Sequence, residues 1–508
     1  MGTSLEMADK ETNEAQTGRA SPGETETPYT EGVTIARPPG WKYKGFNIGG
    51  KEIWYASPKA QLLMVSFVCF LCPGLYNALG GLGGGGQLNQ QVQANASTAT
   101  YAVFAVIGFF SGSAANKLGI KITLSLGGIG YAIYSASFLS YNHTQNTGFV
   151  IFAGALLGFC AGLLWTAQGA IMMSYPMEKS KGRYISSFWI IFNLGGVIGA
   201  LIVLVQNLHN NTGTVTDGTY AAFIVLMFIG ALIALLLVNA GDVIREDGSK
   251  VIVMKEPTWR SEFIGLYECL QQAPWVLYLF PMFFSSNIFY TYQQNGINAA
   301  QFNLRARSLN SLLYWLAQIL GAVVYGGALD YKGIRRSVRA KAALVTLFVL
   351  TFAIWGGGYA FLNEYPDRNV TGDPNFEKFK IDFTERRYIG PAFLYIFYGF
   401  YDACWQTSIY WWMGAISNSG RRTANMAGFY KGIQSAGAAV FWALDGAKVA
   451  YRILYGLTFG ICAASILCAT PVIWFYIKDT TDIEDDLKFS DETLEDVAPK
   501  VIYEKPQI

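Results

Sequence analysis

The chain has 508 residues, 52% of them apolar, with 55 glycines and only 14% charged side chains, well below the quarter or so that is charged in soluble domains. Its net charge of +2 comes from basic residues scattered over short loops, so nothing marks a nucleic-acid-binding face. Two histidines in polar loops, His143 and His209, and seven cysteines argue against a metal centre or a disulfide framework, because Cys69, Cys72, Cys160, Cys404, Cys462 and Cys468 all lie in apolar stretches.

Residues 1–58 are polar, with no apolar run of signal-peptide length. They read as a cytosolic tail, largely disordered, that leaves the first apolar stretch to direct membrane insertion. Twelve such stretches follow, at 59–80, 97–116, 121–141, 148–172, 184–206, 219–240, 273–294, 308–329, 338–361, 388–413, 424–446 and 453–477. Each reaches the ~20 residues needed to cross about 30 Å of hydrocarbon. The predicted class is therefore an all-α polytopic membrane protein in contact with the lipid bilayer. Six spans fall in 59–240 and six in 273–477, separated by a central cytosolic loop, 241–272, and followed by an acidic, solvated tail, 478–508.

The end of the first span reads "NALGGLGGGGQ" and contains Gly81-x-Gly83-x-x-Gly86, the spacing of a dinucleotide-binding turn. That turn needs a strand before it, a helix after it and an acid about twenty residues on. Here a membrane helix precedes it, and "QLNQQVQANAST" follows without an acid. No nucleotide cofactor is expected; the glycines read as a structural turn or as a moving outer gate. Cys69-x-x-Cys72 has redox-motif spacing but sits inside an apolar helix, where packing is its expected role.

Orientation follows from Lys and Arg, which are retained in short cytoplasmic loops. The loops after spans two, four, eight and ten carry Lys117, Lys121, Lys179, Lys181, Arg183, Lys332, Arg335, Arg336, Arg339, Lys341, Arg421 and Arg422. Both termini are then cytosolic. The four N-x-Ser/Thr glycosylation candidates, Asn95, Asn142, Asn210 and Asn369, all fall in loops assigned by this rule to the opposite side.

Two loops repeat one pattern. "GSAANKLGIK", with Gly112, Asn116, Gly119 and Lys121, and "GGALDYKGIR", with Gly326, Asp330, Gly333 and Arg335, share G-x-x-x-[DN]-x-x-G-x-[KR] in corresponding loops of the two halves. Trp165 and Trp405 correspond once the longer loop 363–387 is allowed for. The halves thus repeat in parallel. Twelve spans, the central loop and the repeated motif resemble the major facilitator superfamily over about residues 59–477. The glycine-rich end of span one, "YNHTQNTGFVIFAGALLGFCAGLLWTAQGAIMMSYP" and "FNLRARSLNSLLYW" look like its Unc-ninety-three-like branch. The resemblance implies two pseudo-symmetric six-helix bundles, alternating access around a cavity lined by spans 1, 4, 7 and 10, and a repeated loop that latches one conformation. Asp330 can there accept from a helix N-terminus or an Arg, while Asn116 replaces the acid in the first half. Members of the branch are associated with accessory and regulatory roles as much as with transport.

Charges inside spans are the strongest pointers to function, since each costs about 2.5–3.5 kcal/mol on insertion scales unless paired or wetted. Asp402 and Lys431 both fall near mid-membrane on neighbouring spans, and a pair is expected. On span ten Tyr395, Tyr398, Asp402, Trp405 and Trp412 recur at helical spacing as a candidate cavity stripe. Asp402 either takes up a proton or a cationic group, with Lys431 holding it ionised, or the two form a static ion pair. Span seven ends "YQQNGINAAQ", similar to a sugar-porter motif but one residue short. It reads as a broken half-helix in which Asn287, Tyr290, Gln293 and Gln294 offer hydrogen bonds to a ligand. Asn77, Gln168, Asn193, Gln318 and Gln434 are further polar groups, as ligands or as interhelical glue. No enzyme constellation is present. The expected function is secondary transport of an unidentified small solute, the alternative a non-transporting scaffold that traffics or regulates a membrane-protein partner.

Overall fold

A computed structural model describes residues 38–48, 51–86, 89–176, 181–207, 215–246, 248, 264, 267, 270–271, 273–331, 333–362, 368, 380–416 and 420–479. Asn210, Asn369, residues 1–37, most of the central connection and residues 480–508 lie outside them.

The described helices are α1 (Pro58–Gly81), α2 (Gln90–Leu118), α3 (Ile120–Thr144), α4 (Thr147–Ser174), α5 (Lys181–Asn207), α6 (Asp217–Leu235), a broken α7, α8 (Leu304–Leu329), α9 (Arg336–Leu362), α10 (Ile389–Ile416), α11 (Gly420–Gly446) and α12 (Tyr451–Phe475). Among the described residues nine are long and apolar enough to cross a membrane, and α7, α10 and α11 fall short. The seventh is broken into pieces of 6, 6, 4 and 8 residues, while α10 carries Asp402 and Gln406 and α11 carries Lys431 and Gln434, polar side chains that lower the mean hydropathy of a span.

Local chemistry sets several helix starts and breaks. Ser57 caps α1, accepting from the Ala60 amide at 3.2 Å ahead of Pro58. Asn146 caps α4 and Asn303 caps α8 in the same way. Pro73, which has no N–H to give, sits in a π-turn over Phe70–Gly74 that widens α1. The seventh helix runs as Pro274–Leu279, Phe280–Ser285, Ile288–Thr291 and Tyr292–Ala299, with 3-10 geometry at its start, a kink at Asn287 (φ −127, ψ 0) and a π-helical end over "YQQNGINA". The broken half-helix expected there is present.

Packing reproduces the repeat. The second helix packs on α4, α3 on α4 and α6, and their counterparts six helices later do likewise: α8 on α10, and α9 on α10 and α12. The halves meet along α2–α11 and α5–α8, a pair exchanged by the same shift of six. Close glycine contacts follow suit. A Cβ on Gly158 of α4 would lie 2.2 Å from the Thr100 carbonyl oxygen of α2, and one on Gly399 of α10 would lie 2.4 Å from that of Tyr314 on α8. Gly195 of α5 meets the Phe70 carbonyl of α1, and Gly437 of α11 the Phe284 carbonyl of α7, at 2.2 and 2.0 Å. These are small-residue interfaces of the kind that bring membrane helices together.

Part of the expected tail is ordered. Trp41–Tyr43 forms a helical turn, and β1 (Phe46–Ile48) pairs antiparallel with β2 (Lys51–Ile53). Lys42 bonds the Asp242 carboxylate at 2.9 Å, the Tyr43 hydroxyl donates to the Asp242 carbonyl at 2.9 Å, and the Ile244 amide donates to that of Ala56 at 3.2 Å. The stretch before α1 is thereby clasped to the segment after α6.

Candidate functional site

A cavity of about 440 Å³ lies between the halves, within the range of small-molecule sites. It runs from Tyr76, Asn77 and Tyr101 to Gly327 and the exposed Asp330 at the end of α8. At that end the Trp411 indole N–H donates to Asp330 Oδ1 at 3.3 Å, and the Arg339 guanidinium lies 5.5 Å from the Trp411 ring centre. Asp330 therefore uses an indole where a helix N-terminus or an Arg was expected. In the first-half loop Gly119 takes φ 78 between α2 and α3, so a single residue reverses the chain. Lys121 lies half-buried beyond it, and Gly333 and Arg335 are exposed in the matching second-half loop; the side chain of Asn116, and Gly112 in the same turn, lie outside the described burial.

The opposite end is sealed. Gly83, Gly84, Gly85 and Gly86 have φ of 70, 62, 61 and 81, a left-handed run that costs an L-residue with a Cβ about 1–2 kcal/mol at each step. Its backbone is gripped from the second half. Arg307, 1% exposed, donates from Nε to the Leu82 carbonyl at 2.7 Å and from its fork to that of Gly83. Asn298 donates to the Gly81 carbonyl at 2.7 Å, the Gly84 amide donates to Asn295 Oδ1 at 2.9 Å, and Asn295 donates to Asp445 at 2.7 Å. Asp445 also pairs with Arg368 at 2.5 Å. From the first half, Gln93 accepts from the Gly85 amide and the Tyr220 hydroxyl donates to the Gly85 carbonyl, both at 2.7 Å. Beside the seam, Asp382 accepts from Asn303, Thr384 and Arg305. Burial opposes its charge, but these donors outweigh burial and hold its carboxyl down at about 2.

Inside the cavity Lys431 on α11 is half-buried, and its ammonium donates to Gln434 Oε1 at 3.1 Å. It also lies 5.1, 5.2 and 5.6 Å from the ring centres of Trp165, Tyr430 and Tyr410, within the ~6 Å of a cation–π contact. Asp402, fully buried, lies behind the wall. It accepts from the Tyr290 hydroxyl at 2.7 Å, the Tyr314 hydroxyl at 3.2 Å, the Gln318 amide, and the Gln406 amide at 3.4 Å. The expected direct Asp402–Lys431 pair is not formed. Two glutamines bridge the gap instead: Lys431 donates to Gln434, Gln434 donates to Gln406 Oε1 at 3.3 Å, and Gln406 donates to Asp402. Each amide dipole points from the cation to the anion. Asn287 Oδ1 accepts from both glutamines, at 2.9 and 3.2 Å.

The sequence-selected residues divide. Lys431, Trp165, Asn287, Tyr290, Asn77, Asn193, Gln318 and Gln434 line the cavity. The α10 stripe does not. Trp405 donates to Ser286 at 3.0 Å, Tyr398 packs 4.8 Å from Trp355, Tyr395 donates to the Gly81 carbonyl at 3.3 Å, and Trp412 is buried. The wall is made by the adjacent face, Ala403, Gln406, Thr407 and Tyr410, because the large rings fill the space among α7, α8 and α9. Gln293 accepts from Tyr314 at 2.9 Å away from the cavity, the Gln294 carbonyl abuts Gly83, and Gln168 is buried off the cavity wall. Arg307, Asn295, Asn298, Asp445 and Gln406 went unselected. For Arg307 the one sequence signal is its place before "SLNSLLYW", which puts a cation at a span's edge.

Two glycosylation candidates are described. Asn95 lies in the second turn of α2, where a Cβ on Gly446 of α11 would meet its Oδ1 at 2.6 Å. Asn142 donates to Asp217 at 2.8 Å.

A family profile of the Major Facilitator Superfamily matches residues 61–363. An UNC93-like protein of Schizosaccharomyces pombe is 47% identical over 449 residues, covering 88% of each chain. The chain belongs to the UNC93-like branch of the major facilitator superfamily. UNC93-like proteins 1 and 2 of Arabidopsis thaliana are each 39% identical over 84% of this chain and 92% of their own. Helix packing related by a shift of six is what that fold requires of a multi-pass membrane protein with two six-helix halves.

Proposed function

We propose that the chain is a secondary transporter that moves a small solute by rocking its halves around the central cavity. One observation carries this reading: the cavity is bounded by both halves, continues to the Asp330 end, and is closed at the Gly81 end by contacts that cross between halves. Such a seal separates as a unit when the halves rotate, and the Asp330 end closes in exchange. The positive-inside rule puts that end and both termini in the cytosol, so the cavity faces inward. Energy comes from a solute or ion gradient.

The test is transport by proteoliposomes offered an extract of small metabolites, with mass spectrometry of what enters. The control is Asn95→Cys with Gly446→Cys, a disulfide across α2 and α11 at the sealed end. Solutes that accumulate with the wild type, and cease to when the bridge is oxidised, support the reading. Absence of uptake in every gradient replaces it with the scaffold, and the search then turns to a membrane-protein partner.

A further inference from the structure

We propose that the cavity binds a small organic anion, a carboxylate on an aromatic or aliphatic body, with Lys431 as its anchor and Asp402 taking up one proton as the anion enters. This deepens the transport reading and rests on it for the claim that the site is a transport site.

The donor balance favours an anion. Lys431 has three N–H donors, and among the described residues its one hydrogen-bond acceptor is Gln434. Trp315 also lines the cavity, and its buried indole N–H has no acceptor among the described residues. The acidic member of the mid-membrane pair is unavailable to a ligand: Asp402 is fully buried behind Tyr290, Gln318 and Gln406 and already accepts four hydrogen bonds. At mid-membrane a cationic solute would therefore meet the lysine and not Asp402; the other carboxylate of the cavity, Asp330, lies exposed at its far end, where it accepts from Trp411. A carboxylate would meet an ammonium and an indole N–H, with Trp189, Phe192 and Tyr410 to pack its body. Asn193 Oδ1, buried in the same wall with no donor among the described residues, takes a hydroxyl or amide hydrogen where the solute carries one.

Charge balance supplies the proton. With no anion bound, Lys431 and Asp402 compensate each other through the two glutamines. An anion at Lys431 neutralises the ammonium and leaves the carboxylate as net buried charge, which low-dielectric surroundings disfavour. One proton from bulk water bound at a carboxylate oxygen of Asp402 restores neutrality. The new carboxyl O–H then donates to a tyrosine hydroxyl oxygen, Tyr290 or Tyr314, which reverses from donor to acceptor. The other titratable groups around Asp402 are Tyr101 on α2, Cys404 on α10, and Tyr430 and Lys431 on α11.

The experiment uses the purified full chain and three probe sets: propionate, phenylacetate and naphthylacetate, each with its amide and its amine. Thermal stabilisation is expected from the carboxylates alone, with phenylacetate and naphthylacetate above propionate. It is lost in Lys431→Gln and retained in Lys431→Arg. Calorimetry in buffers of differing ionisation enthalpy should count about one proton taken up per anion at alkaline pH, with affinity falling about tenfold per pH unit once Asp402 is ionised. Asp402→Asn should remove both the uptake and the pH slope. Stabilisation by the amides or amines, binding that survives Lys431→Gln, or no response to any carboxylate overturns the proposal; zero proton uptake by the wild type overturns its proton half even where the Asp402 variant fails to fold. Carboxylate binding without flux would remove the transport reading and leave the anion site standing. Flux of a neutral or cationic solute indifferent to Lys431→Gln would do the reverse.

Discussion

Gly85→Ala tests the sealed end. Gly85 has φ 61, ψ 24, a left-handed conformation that costs a residue with a Cβ about 1–2 kcal/mol. The new Cβ would also lie 2.6 Å from Cζ and 2.7 Å from Cε1 of Phe138. That ring is fully buried, with the Tyr134 ring 5.1 Å and the Tyr220 ring 6.2 Å away, so it has little room to yield; overpacking of this kind costs about 1–3 kcal/mol. Together the substitution weakens the seal by about 2–5 kcal/mol, or roughly thirty-fold to a few thousand-fold at 1.4 kcal/mol per decade. Two readouts follow. The unfolding temperature falls, and a maleimide reaches Ser311→Cys, a position fully buried under the seam where a Cβ on Gly81 would come within 2.6 Å of Ser311 Oγ. Gly356→Ala on α9 is the control, because nothing lies within 4 Å of its added Cβ and an exposed helical Gly→Ala is neutral to slightly stabilising. Equal unfolding temperatures and equal labelling for the two variants would refute the claim that the glycines form a close-packed left-handed seal.

Other outcomes follow from the same geometry. Arg307→Lys keeps the charge but loses the fork that spans the Leu82 and Gly83 carbonyls, so it should cost about 1–3 kcal/mol in thermal unfolding; no change would mean that the fork is dispensable. Asp382 is held down from 3.8 to about 2, so its contribution to stability is present above about pH 4 and lost as pH falls toward 2. The unfolding temperatures of wild type and Asp382→Asn should therefore differ at pH 6 and converge near pH 2, and a gap that widens on acidification contradicts the assignment. Glycopeptide mass spectrometry should find Asn95 unmodified, since it lies inside α2 against α11; occupancy there would place the start of α2 elsewhere. Trp411 and Asp330, joined by one indole hydrogen bond, should show a coupling of about 0.5–1.5 kcal/mol in a double-mutant cycle on stability, and independence would mean that the contact at the open end is incidental.

The spans and their repeat are legible in the sequence because a run of about twenty apolar residues is a local signal that survives any arrangement of neighbours. The break in α7 is legible for the same reason, Asn287 and the polar run after it standing inside an otherwise apolar stretch. Facing is not a local property. Along α10 both faces carry large side chains, and the choice between Tyr398–Asp402–Trp405 and Ala403–Gln406–Tyr410 depends on whether α7, α8 and α9 or the opposite half lies alongside. The charges of Asp402 and Lys431 are visible, but the two glutamines between them belong to different helices, and their alignment exists only once α10 and α11 are packed. Arg307 and Asp445 stand at span ends, where a positive-inside count treats charge as topology. Their partners are backbone carbonyls, Asn295 and Arg368, which no spacing rule connects to them.

The most direct test of alternating access is a pair of distances recorded together in lipid nanodiscs. Spin labels at Thr144→Cys and Arg387→Cys report the sealed end, and labels at Leu118→Cys and Ile334→Cys the Asp330 end. Alternating access requires two populations whose distances change in opposite senses at the two ends, with Gly85→Ala enriching the state in which Thr144 and Arg387 are farther apart. A single unchanging distribution at both ends, in the wild type and in the variant alike, would contradict it.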